Sequence, residues 1–249
     1  MAFPFTPAER EHVLVSTEVL PDNEGVTSKA KPFFDGGDAD VAVKGFLHVP
    51  SNRPAATLVL THGAGGDCNT PLLVALAEAF STNGLNVLRC DLPFRQMRPK
   101  GPPSPSNARR DQEGLRKAIN VMREKFPGHI YLGGQSYGGR QASMLAASES
   151  ELVDGLLLLS YPLHPPGSPA QMRSTHFPML RTPVLFVHGA SDAFASSEEL
   201  QAAVKLIPAP TKVLEVTQGG HGLMTKRNRG ELPGMVVEAF DGMFRERMR

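Results

Sequence analysis

Short apolar runs alternate with helical stretches along most of the chain, and this alternation limits the possible folds more than any other feature. Each run has four or five residues and is of the kind that is buried on both faces of a parallel sheet. The runs are Thr57–Leu60, Asn86–Cys90, Ile130–Gly133, Leu156–Leu159, Val184–Val187 and Val213–Val216. Strand followed by helix, repeated in this way, predicts an α/β fold with a mostly parallel central sheet and helices on both faces.

The segments between and around these runs complete the outline. Helices are predicted at 71–80 and 111–126, where apolar residues recur at helical spacing. The alanine-rich stretch 141–147 and the stretches 198–207 and 235–244 are predicted to be helical as well. Val41–Val49 alternates apolar and polar residues, which is typical of a strand with one solvent-exposed face. Residues 93–110 are rich in Pro, Arg and Ser, so they are predicted to form a long surface loop.

The length of 249 residues fits a single domain spanning 1–249. Within it, residues 1–36 are expected to form an N-terminal extension or edge strands. The net charge of +1 gives no broad electrostatic attraction to nucleic acid or to anionic lipid. We therefore expect a small-molecule substrate and neither a nucleic-acid partner nor a membrane partner.

Three features of the sequence favour a cytoplasmic location: the N-terminal residues, the short apolar runs and the two cysteines. The first residues, Met1 to Pro7, lack the basic and apolar regions of a signal peptide. No apolar run approaches the roughly 20 residues that span a bilayer. Cys68 and Cys90 do not make a disulfide framework, and both are expected to be small buried residues.

The segment Gly134-Gln-Ser136-Tyr-Gly138 matches the pattern G-x-S-x-G between a predicted strand and an alanine-rich helix. In that context the pattern forms a sharp turn that exposes the serine Oγ, and a Cβ at either glycine would collide with neighbouring elements. The alternative is a glycine-rich turn with a helix-capping serine. The strand and helix on either side favour Ser136 as a nucleophile.

A serine hydroxyl needs a general base, and His221 is the best candidate. It lies in Gln218-Gly-Gly-His-Gly222, directly after the run Val213–Val216, where flanking glycines let it approach the serine. The other seven histidines lie in strands, at strand ends or in segments without a partner signal. A loop histidine without a catalytic role is the alternative.

An acid is needed to orient that histidine. Asp192 follows the run Val184–Val187, and Ser136, Asp192, His221 is the chain order of triads built on a nucleophile elbow. Asp91, at the end of the run Asn86–Cys90, is the main rival. Asp154 is more typical of a turn residue.

Acyl transfer also requires donors for the oxyanion of the tetrahedral intermediate. The turn Thr61-His-Gly-Ala-Gly-Gly66 follows the run Thr57–Leu60 and exposes backbone N–H groups. The predicted donors are the N–H groups of Tyr137 and Ala64. A phosphate-binding loop is the rival interpretation, but the glycines fit neither G-x-G-x-x-G nor the Walker A pattern.

With these motifs in place, residues 40–245 resemble the α/β-hydrolase superfamily and, within it, the dienelactone-hydrolase-related branch. The chain is similar to a small lid-less group that includes a testis-expressed protein and a subunit of a histone-acetyltransferase complex. Four elements carry this resemblance: His62-Gly-Ala-Gly65, Gly134-Gln-Ser-Tyr-Gly-Gly139, Ser160-Tyr-Pro-Leu-His-Pro-Pro-Gly167 and His188-Gly-x-x-Asp192. Dienelactone hydrolases use a cysteine nucleophile, so their substrate is not carried over to a chain with Ser136.

The resemblance and the motifs together predict a serine hydrolase of small soluble esters or related acyl compounds, with no metal or organic cofactor. Prolines between Tyr161 and Thr182 oppose a helical lid, because each removes an N–H and fixes φ. Arg95 and Arg98 are expected either to bind an anionic or polar substrate or to belong to a solvated basic loop. A non-catalytic binding or scaffold protein of the same fold is the alternative function.

Overall fold

The computed structural model of the protein describes residues 30–36 and 41–245, which form eight strands and six α-helices. The strands are β1 (Lys31–Asp35), β2 (Val43–His48), β3 (Ala56–Thr61), β4 (Leu85–Cys90), β5 (His129–Gln135), β6 (Gly155–Leu159), β7 (Val184–Gly189) and β8 (Thr211–Val216). The helices are α1 (Pro71–Thr82), α2 (Pro93–Met97), α3 (Ala108–Lys125), α4 (Tyr137–Ser148), α5 (Ser197–Val204) and α6 (Leu232–Phe244).

All eight strands belong to one sheet, in the order β1-β2-β4-β3-β5-β6-β7-β8. The pairs β1·β2 and β2·β4 are antiparallel, and every other pair is parallel. The predicted α/β class with a mostly parallel sheet is therefore confirmed. The carboxyl ends of β3, β5, β7 and β8 lie at one edge of the sheet, which is where open α/β folds place their sites.

Two apolar cores lie on opposite faces of the sheet, because successive side chains of a strand point to opposite faces. In β3, Leu58 and Leu60 pack against α1 and α6, whereas Val59 packs in the core with α3, α4 and α5. All three side chains are fully buried. Burying one such side chain contributes about 1.5–3 kcal/mol, so both faces of the sheet stabilise the fold.

The prediction of a long surface loop at 93–110 is wrong in part. Pro93–Met97 forms α2, and α3 begins at Ala108 rather than at Asp111. Pro93 stands at the start of α2, where its fixed φ suits a helix and its missing N–H costs nothing. The Phe94 ring is buried, and the Asp111 carboxylate accepts the Phe94 N–H at 3.0 Å. These tertiary contacts order the segment.

The last predicted strand also differs from its expectation. The run Val213–Val216 lies in β8, which is an edge strand and is mostly half-exposed rather than buried on both faces. At the other edge of the sheet lies β1, Lys31–Asp35. Residues 1–29, including His12, lie outside the described residues.

Both cysteines agree with the prediction that they are small buried residues. Cys68 and Cys90 are free thiols and are buried. Among residues 30–36 and 41–245, no helix combines the length and the apolar character needed to cross a membrane.

Candidate active site

Ser136 lies in the tight turn that joins β5 directly to α4. Its backbone has φ 49° and ψ −113°, a conformation that costs about 1–3 kcal/mol for a residue with a side chain. A Cβ built on Gly134 would lie 2.5 Å from the carbonyl carbon of Gly138, and one on Gly138 would lie 2.4 Å from the carbonyl oxygen of His62. The turn therefore requires both glycines, as the sequence pattern predicts.

The structure brings Ser136, His221 and Asp192 into one hydrogen-bonded chain. His221 Nε2 lies 2.9 Å from Ser136 Oγ, and Nδ1 lies 2.9 and 3.0 Å from the two carboxylate oxygens of Asp192. The Asp192 side chain is fully buried, and its Oδ1 also accepts the Phe194 N–H at 2.9 Å. An imidazole that donates Nδ1–H to the carboxylate keeps the lone pair of Nε2 directed at the serine hydroxyl.

Backbone contacts fix the acid loop against the histidine loop. Asp192 follows β7 and His221 follows β8, and these strands are neighbours in the sheet. The Ser191 N–H donates to the Gly219 carbonyl at 3.0 Å. A Cβ on Gly189 would lie 2.4 Å from the Gly220 carbonyl oxygen, so only glycine permits this approach. The Asp192–His221 contact is thus set by main chain on both sides.

The two rival carboxylates lie elsewhere and have other partners. Asp91 Oδ1 accepts the Cys68 N–H at 2.7 Å and lies 3.7 Å from Nε2 of the buried His62. Asp154 accepts the Ile130 N–H at the opposite end of β5. Neither carboxylate contacts His221, so Asp192 is the acid that the geometry pairs with it.

The turn 61–66 lies directly against Ser136. A Cβ built on Gly63 would be 3.4 Å from the Ser136 Cβ, and Ala64 and Tyr137 line the same cavity as Ser136. The buried imidazole of His62 braces this turn, because Nδ1 lies 2.8 Å from the Gly63 carbonyl and Nε2 accepts the Leu92 N–H at 3.1 Å. Burial lowers the pKa of His62, which keeps the ring neutral in this bracing role.

Arg95 has a different role from the substrate contact considered for it. Its side chain is buried, and its guanidinium donates four hydrogen bonds of 2.8–3.2 Å to backbone carbonyls. Arg98 is exposed and donates to the Pro102 carbonyl. Neither side chain lines the cavity at Ser136. The acceptors of Arg95 are the carbonyl oxygens of Ala64, Gly66, Arg98 and Gly101, so Arg95 ties the turn 61–66 to the segment 98–101.

An open cavity of about 850 Å³ surrounds the serine. Its walls come from the turn 61–66, the segment 102–108, the start of α4 and the residues that follow β6. The side chains Thr70, Ser104, Tyr137, Arg140, Gln141, Met144, Arg173, Phe194 and His221 are among those that line it. The cavity exposes Ser136 and His221 to a small molecule.

Comparison with known proteins identifies the family. Residues 54–241 match a family model described as an alpha/beta hydrolase domain, which is more than half of the chain. The chain belongs to the α/β-hydrolase family. Its sheet order and the turn at Ser136 agree with that assignment.

Solved α/β hydrolases share this fold at low sequence identity. A serine hydrolase homologue from Coxiella burnetii is 20% identical with a TM-score of 0.68, and the match covers 84% of this chain and 96% of that one. A dienelactone hydrolase from Anabaena variabilis is 17% identical, with a TM-score of 0.69 and coverage of 88% and 99%. A serine hydrolase without a lid from Xanthomonas campestris is 16% identical, with a TM-score of 0.66 and coverage of 90% and 97%.

This α/β hydrolase carries no large lid. The segment 160–183 between β6 and β7, all of it described, contains one short 3₁₀ helix, Phe177–Met179, and no α-helix. That segment supplies Pro162 and Arg173 to the cavity wall, so it borders the site without closing over it.

Phe194, Arg140 and Arg173 are among the cavity-lining residues that the sequence analysis did not predict. Arg140 follows Ser136 by four residues on α4, and this spacing places it one helical turn away on the same side. That signal was available in the sequence. Phe194 and Arg173 lie in loops, where no periodic pattern relates them to Ser136.

Proposed function

We propose that the protein is a serine hydrolase that cleaves small, water-soluble esters or related acyl compounds through an acyl-enzyme. The observation that carries the proposal is the hydrogen-bonded chain from Asp192 through His221 to Ser136 Oγ. A base within 3 Å of a hydroxyl, oriented by a buried carboxylate, is the arrangement that activates a serine.

In the first half of the proposed reaction, Ser136 Oγ attacks the carbonyl carbon of the ester while His221 Nε2 takes the hydroxyl proton. Asp192 stabilises the imidazolium that forms. The N–H groups of Tyr137 and Ala64 are proposed to donate to the oxyanion. The C–O bond of the ester then breaks, and His221 returns the proton to the departing alcohol.

In the second half, water attacks the acyl carbon of the Ser136 ester and gives its proton to His221 Nε2. The tetrahedral intermediate collapses, Ser136 leaves with the proton from His221, and the carboxylic acid departs. Atoms and charges balance without any further reactant. Each step uses the same pair of side chains, with the imidazole acting alternately as base and acid.

The strained turn favours an enzyme over a non-catalytic scaffold of the same fold. The backbone of Ser136 costs free energy, and it gains no capping hydrogen bond from the serine side chain in return. A nucleophile at this position needs the conformation, because the sharp turn exposes its Oγ. Strain at a cavity, next to a histidine that is paired with a buried carboxylate, is typical of a catalytic site.

The open cavity and the absence of a large lid support small soluble substrates over long-chain lipids. The test is hydrolysis of acetyl, butyryl and palmitoyl 4-nitrophenyl esters above and below the micelle threshold. We expect the short esters to be preferred, with no increase in rate at the interface. Hydrolysis that favours the palmitoyl ester and rises sharply at the interface would contradict the substrate proposal. Equal rates for wild type and Ser136→Ala would contradict the mechanism.

A further inference from the structure

Two arginines, Arg140 and Arg173, line the cavity that contains Ser136. Arg140 lies in the first turn of α4, four residues after the nucleophile, which corresponds to a rise of about 6 Å along the helix. Arg173 lies in the segment that joins β6 to β7. Among the described residues, no Asp or Glu lines this cavity, so its wall carries positive charge only.

Neither guanidinium has a carboxylate partner within residues 30–36 and 41–245. Arg140 Nε is moreover a buried donor without any hydrogen-bond acceptor in the described protein. The half-buried Arg116, by contrast, pairs with the Glu149 carboxylate. A buried donor without a partner is costly, and a bound anion would satisfy it.

The two positive charges lie close enough to affect each other. Burial lowers the pKa of Arg173, and the charge of Arg140 lowers it further. The surrounding titratable groups do not offset this charge. His176 Nε2 forms a hydrogen bond of 2.8 Å with Ser143 Oγ. Burial, and to a smaller extent the charge of Arg140, lowers the pKa of His176 to about 4, so the ring is neutral. Tyr161 is also neutral, because burial raises its pKa, and its hydroxyl donates to the Arg173 carbonyl.

We infer that Arg140 and Arg173 bind an anionic oxygen group of the substrate, a carboxylate or a phosphate, in the same cavity as Ser136. Two guanidinium groups pair well with either group through charge-assisted hydrogen bonds. This inference rests on the proposed function, and it narrows the substrate to esters that carry a negative charge a few bonds from the scissile carbonyl. Half-esters of dicarboxylic acids are the simplest compounds of this class.

The first test compares esters that carry a negatively charged group with neutral esters of similar size. On the acyl side, 4-nitrophenyl valerate is compared with mono-4-nitrophenyl glutarate. On the alcohol side, methyl 4-acetoxybenzoate is compared with 4-acetoxybenzoate and 4-acetoxyphenyl phosphate, which separates carboxylate from phosphate. We expect the wild-type enzyme to prefer a charged member in kcat/KM by at least about tenfold. Equal kcat/KM values for the charged esters and the neutral esters would overturn the inference.

The matched variants are Arg140→Gln, Arg173→Gln and the control Arg181→Gln, which replaces an exposed arginine outside the cavity. The preference for the charged ester is expected to fall about ten- to a hundredfold in the first two variants and to persist in the control. Arg140→Lys keeps the charge and is expected to retain part of the preference. An unchanged preference in Arg140→Gln and Arg173→Gln would contradict the inference.

The second test does not depend on catalysis. Glutarate and inorganic phosphate are added at constant ionic strength, and Tm is measured for Ser136→Ala and for Ser136→Ala combined with Arg140→Gln or Arg173→Gln. A ligand that binds only the folded state raises Tm, so the rise is expected in the single variant and not in the double variants. A rise that persists in the double variants would overturn the inference. Anion binding that requires both arginines, without any ester hydrolysis by wild type, would support the subsite and contradict the proposed function.

Discussion

The phenyl ring of Phe194 stacks on the imidazole of His221, with ring centroids 4.0 Å apart and an interplanar angle of 26°. The same residue donates its backbone N–H to Asp192 Oδ1. Phe194 therefore contacts His221 with its side chain and Asp192 with its main chain. This contact limits the positions that His221 can adopt beside Ser136.

Replacing that ring tests its positioning role. Phe194→Ala removes the stack and leaves the backbone hydrogen bond, so His221 gains freedom and kcat is expected to fall about ten- to a hundredfold. Phe194→Tyr keeps an aromatic ring and is expected to retain most of kcat. Steady-state kinetics with a short ester separate kcat from KM. A rise in KM with kcat unchanged would show that Phe194 contacts substrate and does not position the base.

The choice of acid is tested by a pair of isosteric substitutions. Asp192→Asn should preserve the fold while lowering kcat by roughly 10⁴, because an amide cannot hold the imidazole in its productive tautomer as a carboxylate does. Asp91→Asn is the matched control, since Asp91 also follows a strand but lies beside His62. The assignment fails if Asp91→Asn gives the large loss and Asp192→Asn does not.

Arg95 is expected to act on the turn 61–66 and not on substrate. Arg95→Gln removes charge-assisted hydrogen bonds to the carbonyls of Ala64 and Gly66, so we expect a loss of stability of about 3 kcal/mol and a lower kcat. Arg98→Gln changes an exposed arginine of the same segment and should affect neither. Urea unfolding and ester kinetics measure both effects. Normal stability in Arg95→Gln together with a raised KM would contradict this role and would indicate that Arg95 contacts substrate.

The stability of the fold should depend on pH through His48, which ends β2 and is fully buried. Its Nε2 accepts a hydrogen bond from Arg89 Nε at 3.0 Å, so the ring is neutral. Burial, with a smaller contribution from the charge of Arg89, lowers the pKa of His48 to about 4. The unfolded chain binds a proton below about pH 6.5 that the folded chain does not bind until about pH 4.

The contribution of His48 to the free energy of unfolding should therefore fall by about 3 kcal/mol as the pH falls from about 6.5 to about 4. Below about pH 4 this contribution should not change further. His48→Gln removes the titrating group, and the decrease in stability from pH 7 to pH 4.5 should shrink by about 2–3 kcal/mol. His129→Gln, at a partly exposed histidine, is the control. Identical pH dependence in wild type and His48→Gln would contradict the prediction.

The fold was accessible from the sequence because its signals are local. Each buried strand is a short apolar run. The turn at Ser136 needs glycines at fixed positions, because a Cβ at Gly134 or Gly138 would collide with neighbouring backbone. The exposure of β8 was not predictable, since the run Val213–Val216 resembles the central strands and its edge position depends on strand order. Local patterns indicate which segments are strands, but they do not indicate which strands are neighbours in the sheet.

The site was accessible only in part. Ser136, Asp192 and His221 follow strand ends, so the sheet brings them to one edge. The role of Arg95 was missed because its acceptors are backbone carbonyls, which have no sequence signature. Phe194 was missed because it lies in a loop without periodicity. Such contacts depend on how loops fold over the sheet edge.

The most direct test of whether Ser136 is an activated nucleophile is labelling by a fluorophosphonate, which reacts with serine hydroxyls that a neighbouring base activates. We expect one equivalent of label on Ser136, located by mass spectrometry of the digested protein, and no label on Ser136→Ala. Labelling of His221→Ala should fall steeply, because the hydroxyl then lacks its base. If wild type does not label, or if Ser136→Ala labels as well as wild type, Ser136 is not an activated nucleophile and the proposed mechanism is wrong.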